Sequence, residues 1–181
     1  MNAIYLLLTH TKTPFSKAIA KVTGFPYTHV SLALDDSLFY TYSFGRKNQL
    51  NPLAAGFVQE NLHQPVFQNA TCLVYRLRVS KRQRAQIQEL LADIRRNQKS
   101  YHYSFLGVIS FLFGKKDPRK FHFFCSQFVG IVLQHIAVDL QGKEPYQLLP
   151  SDFTHLENLE EIYSGTIRDY PLWERHTIVT N

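Results

Sequence analysis

Tyr27-Thr28-His29-Val30-Ser31-Leu32-Ala33-Leu34-Asp35-Asp36-Ser37-Leu38-Phe39-Tyr40-Thr41-Tyr42-Ser43 is the stretch whose reading decides the fold class. His29–Leu34 reads as a strand. Asp35-Asp36-Ser37 reads as a tight turn, because Asp and Ser side chains bond the backbone just ahead of them. Leu38–Ser43 reads as the returning strand of a hairpin, which makes the two strands antiparallel neighbours. Upstream, Ala3–Thr9 is apolar enough for a buried strand. Thr13 as N-cap, Pro14 at the first helical position and Gly24 as the stop define a short helix between them. Phe15, Ile19 and Val22 form its apolar face.

Downstream, Gly45–Gln68 carries Pro52, Gly56 and Pro65 and reads as irregular, with Phe57-Val58 adding a short strand at most. Cys72–Val79 sets Leu73, Tyr75, Leu77 and Val79 against Val74, Arg76 and Arg78, the pattern of a strand exposed on one side. Ser80 caps a helix over Lys81–Asn97, whose Ile87, Leu90, Leu91 and Ile94 recur at helical spacing. A second apolar helix is predicted over Phe105–Phe113. A third begins around Cys125, with Cys125, Phe128, Val129, Val132, Leu133 and Ile136 as its stripe. A Pro150-Ser151-Asp152-Phe153 turn precedes a last strand near Glu161–Ile167. Helices and strands are mixed, and no repeat, low-complexity tract or linker divides the chain. The expectation is one α+β domain over residues 1–181, a small antiparallel sheet with helices packed on it.

Composition bounds the function classes. The 181 residues are 45% apolar and 19% charged, with 14 Phe and 10 Tyr, which excludes disordered and fibrous classes. The net charge of +6 permits an anionic partner without requiring one. The basic clusters Lys81–Arg84, Arg95–Lys99 and Lys115–Lys120 read as solvated faces. They lack a motif with interleaved aromatics, so no specific nucleic acid is expected. Cys72 and Cys125 form no CxxC pair and no disulfide framework, which fits a reducing cytosol and a cytoplasmic protein. The start, Met1–Leu8, lacks a basic region and reads as a strand, not a signal peptide. Ser104–Phe113 is too short for a transmembrane segment. There is no HExxH, P-loop or GxGxxG. His102 and His122 lack ligand spacing, so no metal and no cofactor are expected.

Two residues can carry chemistry. Cys125, in Phe123-Phe124-Cys125-Ser126-Gln127-Phe128-Val129, falls at or just before a helix start, with Ser126 as an alternative N-cap. A helix N-terminus offers unpaired N–H groups and partial positive charge. Both favour the thiolate, which is the attacking species, and the N–H groups can hold an oxyanion. His29 opens a strand, a rigid mount for a base within reach of a thiol. Taken singly, Cys125 reads more readily as a core thiol and His29 as a structural histidine; their order and the stretches around them reverse that reading. Cys72 begins a strand without acid–base context and reads as buried and inert.

Together the two stretches resemble the circularly permuted papain-like enzymes of the NlpC type, a superfamily that includes lecithin retinol acyltransferase. His29-Val30-Ser31-Leu32-Ala33-Leu34-Asp35 is similar to its H-V-G-I-Y-L-G strand, with Ser31 where Gly is common. Phe124-Cys125-Ser126-Gln127-Phe128-Val129 is similar to its F-C-S-E-F/L-V helix start, with Gln127 where Glu is common. Pro150-Ser151-Asp152 resembles the P-x-D segment after the Cys helix, and Tyr101-x-Tyr103 the aromatic pair before it. The match spans residues 27–155.

The resemblance implies a permuted papain-like fold with Cys125 as nucleophile and His29 as general base, then acid. The family's third polar residue falls on the returning strand, here at Thr41, with Ser43 facing the same way. A hydroxyl can orient an imidazole but cannot balance its charge, so a backbone carbonyl or Glu60 are the other sources of that group. Tyr27 and Tyr103 are candidate substrate-binding residues. The implied reaction is hydrolysis or transfer of an acyl group from a small-molecule, peptide or lipid-like amide, ester or thioester. The alternatives are a non-catalytic binding domain on the same fold and, ranked below it, a nucleic-acid binder.

Overall fold

A computed structural model describes residues 2–46, 55–98, 102–103 and 122–171. In chain order its elements are β1 (Ala3–His10), α1 (Pro14–Thr23), β2 (His29–Ala33), β3 (Thr41–Arg46), β4 (Ala55–Gln59), α2 (Pro65–Gln68) and β5 (Thr71–Arg78). There follow α3 (Lys81–Arg96), β6 (His102–Tyr103), β7 (His122–Phe123), α4 (Cys125–His135) and β8 (Leu159–Thr166). The protein is α+β: six strands form one antiparallel sheet in the order β4-β3-β2-β1-β5-β8.

Alternation along the strands sorts their side chains into two cores. Ile4, Leu6, Leu8, Val30, Leu32 and Phe44 meet Ile87, Leu91 and Ile94 of α3 and Phe128, Val129, Val132 and Leu133 of α4. Leu7, Ala33, Cys72 and Val74 point the other way and are covered by Leu38, Leu62, Ala70, Ile167 and Tyr170. β1 lies mid-sheet and is apolar at every position from Ala3 to Leu8 because both its faces are covered.

Several elements match their sequence signals. Thr13 accepts the Ser16 N–H at the start of α1, and Gly24 ends that helix at a φ of 68°. Ser80 and Gln83 close a reciprocal capping box on α3. Other elements differ. The returning strand starts at Thr41, not Leu38, because the Asp35 carboxylate gathers the N–H groups of Phe39 (3.2 Å) and Tyr40 (2.8 Å) into a longer turn. Leu38 takes a positive φ of 59° there and drives its side chain into the second core.

Gly45–Gln68 is more regular than its prolines suggest, since it supplies the end of β3, β4 and the short α2. β5 is not half exposed. It runs between β1 and β8, Cys72 and Val74 are fully buried, and Arg76 turns outward to Glu160. The apolar face of α1 is not its buried face, for Ser16 is buried while Val22 is 65% exposed. The predicted Phe105–Phe113 helix lies outside the described residues. Among the described residues no helix is long and apolar enough to cross a membrane.

α4 is seated against the sheet on one side and against the 145–156 segment on the other. Phe128 packs on Phe44 and Phe57, with ring centroids 5.5 and 5.7 Å apart. Behind it, the Ser126 hydroxyl donates to the Leu148 carbonyl at 2.6 Å, and Gln83 of α3 donates to the carbonyl of Ile136 at 2.9 Å. Gly130 allows the close approach: a Cβ there would meet Leu148 Cδ1 at 2.5 Å and Pro145 Cα at 3.1 Å. Gly130→Ala is therefore expected to lower stability by about 1–3 kcal/mol through overpacking, measured by urea unfolding, whereas a gain would show that the 145–156 segment yields.

Candidate active site

The site forms where the N-terminus of α4 meets the start of β2. Phe124 is the N-cap residue and Cys125 the first helical residue, so Ser126 is not the cap. The β2–β3 ladder pairs Leu32 with Tyr42 and Ala33 with Thr41. On the N-terminal side of these pairs, the Val30 N–H donates to the Cys125 sulfur, as does the Ser126 N–H. Cys125 also shares a hydrogen bond with the His29 ring. Strand and helix thus converge on one sulfur atom, which is 8% exposed with its residue.

His29 is held from its far side. Its Nε2–H donates to Glu60 Oε1 at 2.6 Å. Glu60 directly follows β4, and its N–H donates to the Thr41 carbonyl at 2.8 Å. Its side chain crosses to β2. The Ser43 hydroxyl donates to Oε1 at 2.6 Å and the Ser31 hydroxyl to Oε2 at 2.6 Å. Among the described residues the side-chain partners of this buried carboxylate come from β2 and β3.

The charges follow from these contacts. Burial pushes the His29 imidazole down, but the Glu60 carboxylate and the Cys125 sulfur overturn that and hold it well above the ordinary value of 6.5. Burial pushes Glu60 up, and the His29 charge with the hydrogen bonds from His29, Ser31 and Ser43 brings it below the ordinary carboxylate value. Burial likewise raises Cys125, and the His29 charge and hydrogen bond with the two backbone N–H groups lower it below an ordinary thiol. Each of these contacts favours the charged form of its group: thiolate on Cys125, imidazolium on His29 and carboxylate on Glu60. Cys72, with burial alone acting on it, is pushed up to about 12.

The structure brings Cys125, His29 and Ser43 together, and it separates Thr41 from them. Thr41 is fully buried, and its hydroxyl donates to the Leu38 carbonyl at 2.7 Å, closing the β2–β3 turn. The Tyr27 ring packs edge-on against Phe25, and its hydroxyl bonds Ser164 on β8, three strands from β2. That hydroxyl is turned away from the thiol. The backbone of Tyr103 pairs with Phe123 in the parallel β6–β7 ladder, immediately ahead of Cys125. Asp152 of the Pro150-Ser151-Asp152 turn accepts the Leu149 N–H at 2.8 Å and the Lys143 ammonium at 2.7 Å.

The side chain bonded to His29 is Glu60, one of the sequence alternatives to Thr41 and Ser43; Ser43 reaches His29 only through Glu60, and Thr41 bonds Leu38 instead. The one sequence signal for Glu60 is an acidic residue on a period-two line with Val58 and Leu62, where burial is expected. Ser31 stood out only as a departure from glycine. Among the described residues no three His, Cys, Asp or Glu side chains gather as a metal-ion set.

No protein-family model matches this chain, and no curated protein matches it in sequence.

The pair His29–Glu60 makes stability depend on pH in a defined direction. A lowered carboxyl stabilises the fold above its ordinary value, and that contribution is lost as pH falls through the lowered one. A raised imidazole stabilises below its ordinary value, and that contribution is lost as pH rises through the raised one. Glu60→Gln is expected to cost about 3 kcal/mol near neutral pH, since it strands a buried cation. The gap from wild type should close as pH falls through the native Glu60 value, read by urea unfolding. In the same variant the His29 titration, followed by NMR, should move down by about 1–3 pH units.

Proposed function

We propose that this chain is a cysteine hydrolase or acyltransferase of the permuted papain-like type, with Cys125 as nucleophile, His29 as general base and acid, and Glu60 as the group that orients and balances His29. One observation carries the reading: Glu60 Oε1 holds His29 Nε2 at 2.6 Å while the same ring acts on the buried Cys125 sulfur through its charge and a hydrogen bond. A thiol needs a base, and the base needs an orienting group, within hydrogen-bond reach. Here all three occur in a row at a helix N-terminus. The order of elements in the chain, with the histidine at a strand start ahead of the cysteine at a helix start, supports the same family.

The Cys125 thiolate attacks the carbonyl carbon of an amide, ester or thioester. The oxyanion takes N–H groups of the first turn of α4, which lack intrahelical partners. The His29 imidazolium passes its proton to the departing amine, alcohol or thiol as the carbonyl reforms, leaving an acyl-thioester on Cys125. Neutral His29 then takes a proton from water or another acceptor as it attacks that thioester. The thiolate is expelled, and the imidazolium–carboxylate pair returns. Glu60 remains a carboxylate throughout and stabilises the imidazolium at each appearance. Both cysteines are free, the state in which a reducing compartment keeps them.

Alkylation by iodoacetamide across pH, with the label mapped, tests the reading. Cys125 is expected to react well below pH 8 while Cys72, pushed up to about 12, stays protected. His29→Ala should move the Cys125 profile up toward that of an ordinary thiol. Labelling of Cys125 only on unfolding would overturn catalysis and leave a binding domain on this fold.

A further inference from the structure

We propose that Ser31 and Ser43 are positioning residues of this site: their hydroxyls grip the two oxygens of Glu60 and so let a glutamate from beyond β4 serve as the partner of His29. The inference rests on the catalytic reading given above and adds two residues to it.

The geometry is specific. Ser31 Oγ lies 2.6 Å from Glu60 Oε2, and Ser43 Oγ lies 2.6 Å from Oε1, the oxygen that also accepts from His29. Both serines are fully buried and Glu60 is 9% exposed. Two donors on different strands, one per oxygen, fix the plane of the carboxylate as well as its place. A buried carboxylate with a single partner is costly to keep charged, and each added donor to its ionised form favours that form.

Small size matters as much as the hydroxyl. Ser43 stands on β3, between Glu60 and β2, and a larger side chain there would block the glutamate's path. Gly45, two residues on, continues the clearance: a Cβ at that position would lie 3.2 Å from Ser43 Oγ and 3.7 Å from His29 Cε1. Thr41, on the same face of β3, has its hydroxyl on Leu38 instead. Polar residues on this strand thus do not converge on Glu60 by default. The charged group facing Glu60 among the described residues is His29 of β2, with the Cys125 sulfur of α4 beyond it; β2 and β3 otherwise present neutral hydroxyls.

The test is the titration of the Glu60 carboxyl by carbon NMR in the full chain. Ser31→Ala and Ser43→Ala should each raise its midpoint by about one pH unit, the shift that follows from losing one hydrogen bond to a charged group. Thr41→Ala should leave it unchanged. Ser43→Gly, which removes the hydroxyl and adds no bulk on the glutamate's path, should shift it in the same direction even where an alanine variant folds poorly. A Glu60 midpoint at the wild-type value in these serine variants would overturn the proposal and reduce both hydroxyls to space-filling. The wild-type alkylation profile separates the two readings. Reactive Cys125 with an unmoved Glu60 overturns the positioning role alone. Unreactive Cys125 overturns catalysis, and the positioning role with it, wherever Glu60 titrates.

Discussion

The buried carboxylate of Glu60 is the constraint on which the rest of the site depends. An anion withdrawn from water must be given hydrogen bonds and a counter-charge, or it takes a proton. Here His29, Ser31 and Ser43 supply three donors at 2.6 Å each. Those donors exist only while β2 and β3 lie side by side with the end of β4 folded against them. Glu60 favours the charged form of His29, and His29 favours the charged form of Cys125. A single electrostatic chain therefore runs from a strand end to a helix start, each member raising the tendency of the next to ionise.

The helix that carries the sulfur is held by packing, not by charge. Phe44, Phe57 and Phe128 form a ring cluster beneath α4. Gly130 admits Pro145 and Leu148 on the opposite side. Tyr42 extends the cluster by stacking on Phe57 at 5.8 Å, and Arg95 of α3 lies over its outer face at 5.7 Å. Close-packed aromatic contacts resist small displacements, so they hold the start of α4 in place against β2. The backbone contributes directly as well. The Val30 and Ser126 N–H groups both point at the sulfur, so strand and helix each stabilise the thiolate without a further side chain.

Much of this was legible in the chain, and the misses share a cause. Local signals were reliable where one element decides its own form: Thr13, Pro14 and Gly24 bound α1, and Ser80 with Gln83 starts α3. They failed where a contact distant in sequence decides. Val74 looked like part of the exposed side of an alternating strand with Arg76 and Arg78, yet residues distant in sequence cover it, beside Cys72, whose burial was expected. Val22 looked like a core residue of α1 and faces solvent, because the helix docks through Ser16. At the site, Cys125 and His29 were visible through the stretches around them, while Thr41 was preferred to Glu60 as the orienting group. A serine or a glutamate in a strand has no periodicity that says which carboxylate or imidazole it will reach.

By itself the sequence determined the mixed class of the fold, most strand and helix limits, and the order in which a histidine strand precedes a cysteine helix. These depend on local periodicity, capping and turn chemistry, which neighbouring residues settle among themselves. Tertiary structure alone decided which acid stands behind His29. Glu60 is 31 residues from His29 and 17 from Ser43 in the chain. Only the register of β2, β3 and β4 brings them within a hydrogen bond of one another. The pair first seen in the sequence gains its third member there, because a charge can be buried only where the fold has already gathered its partners.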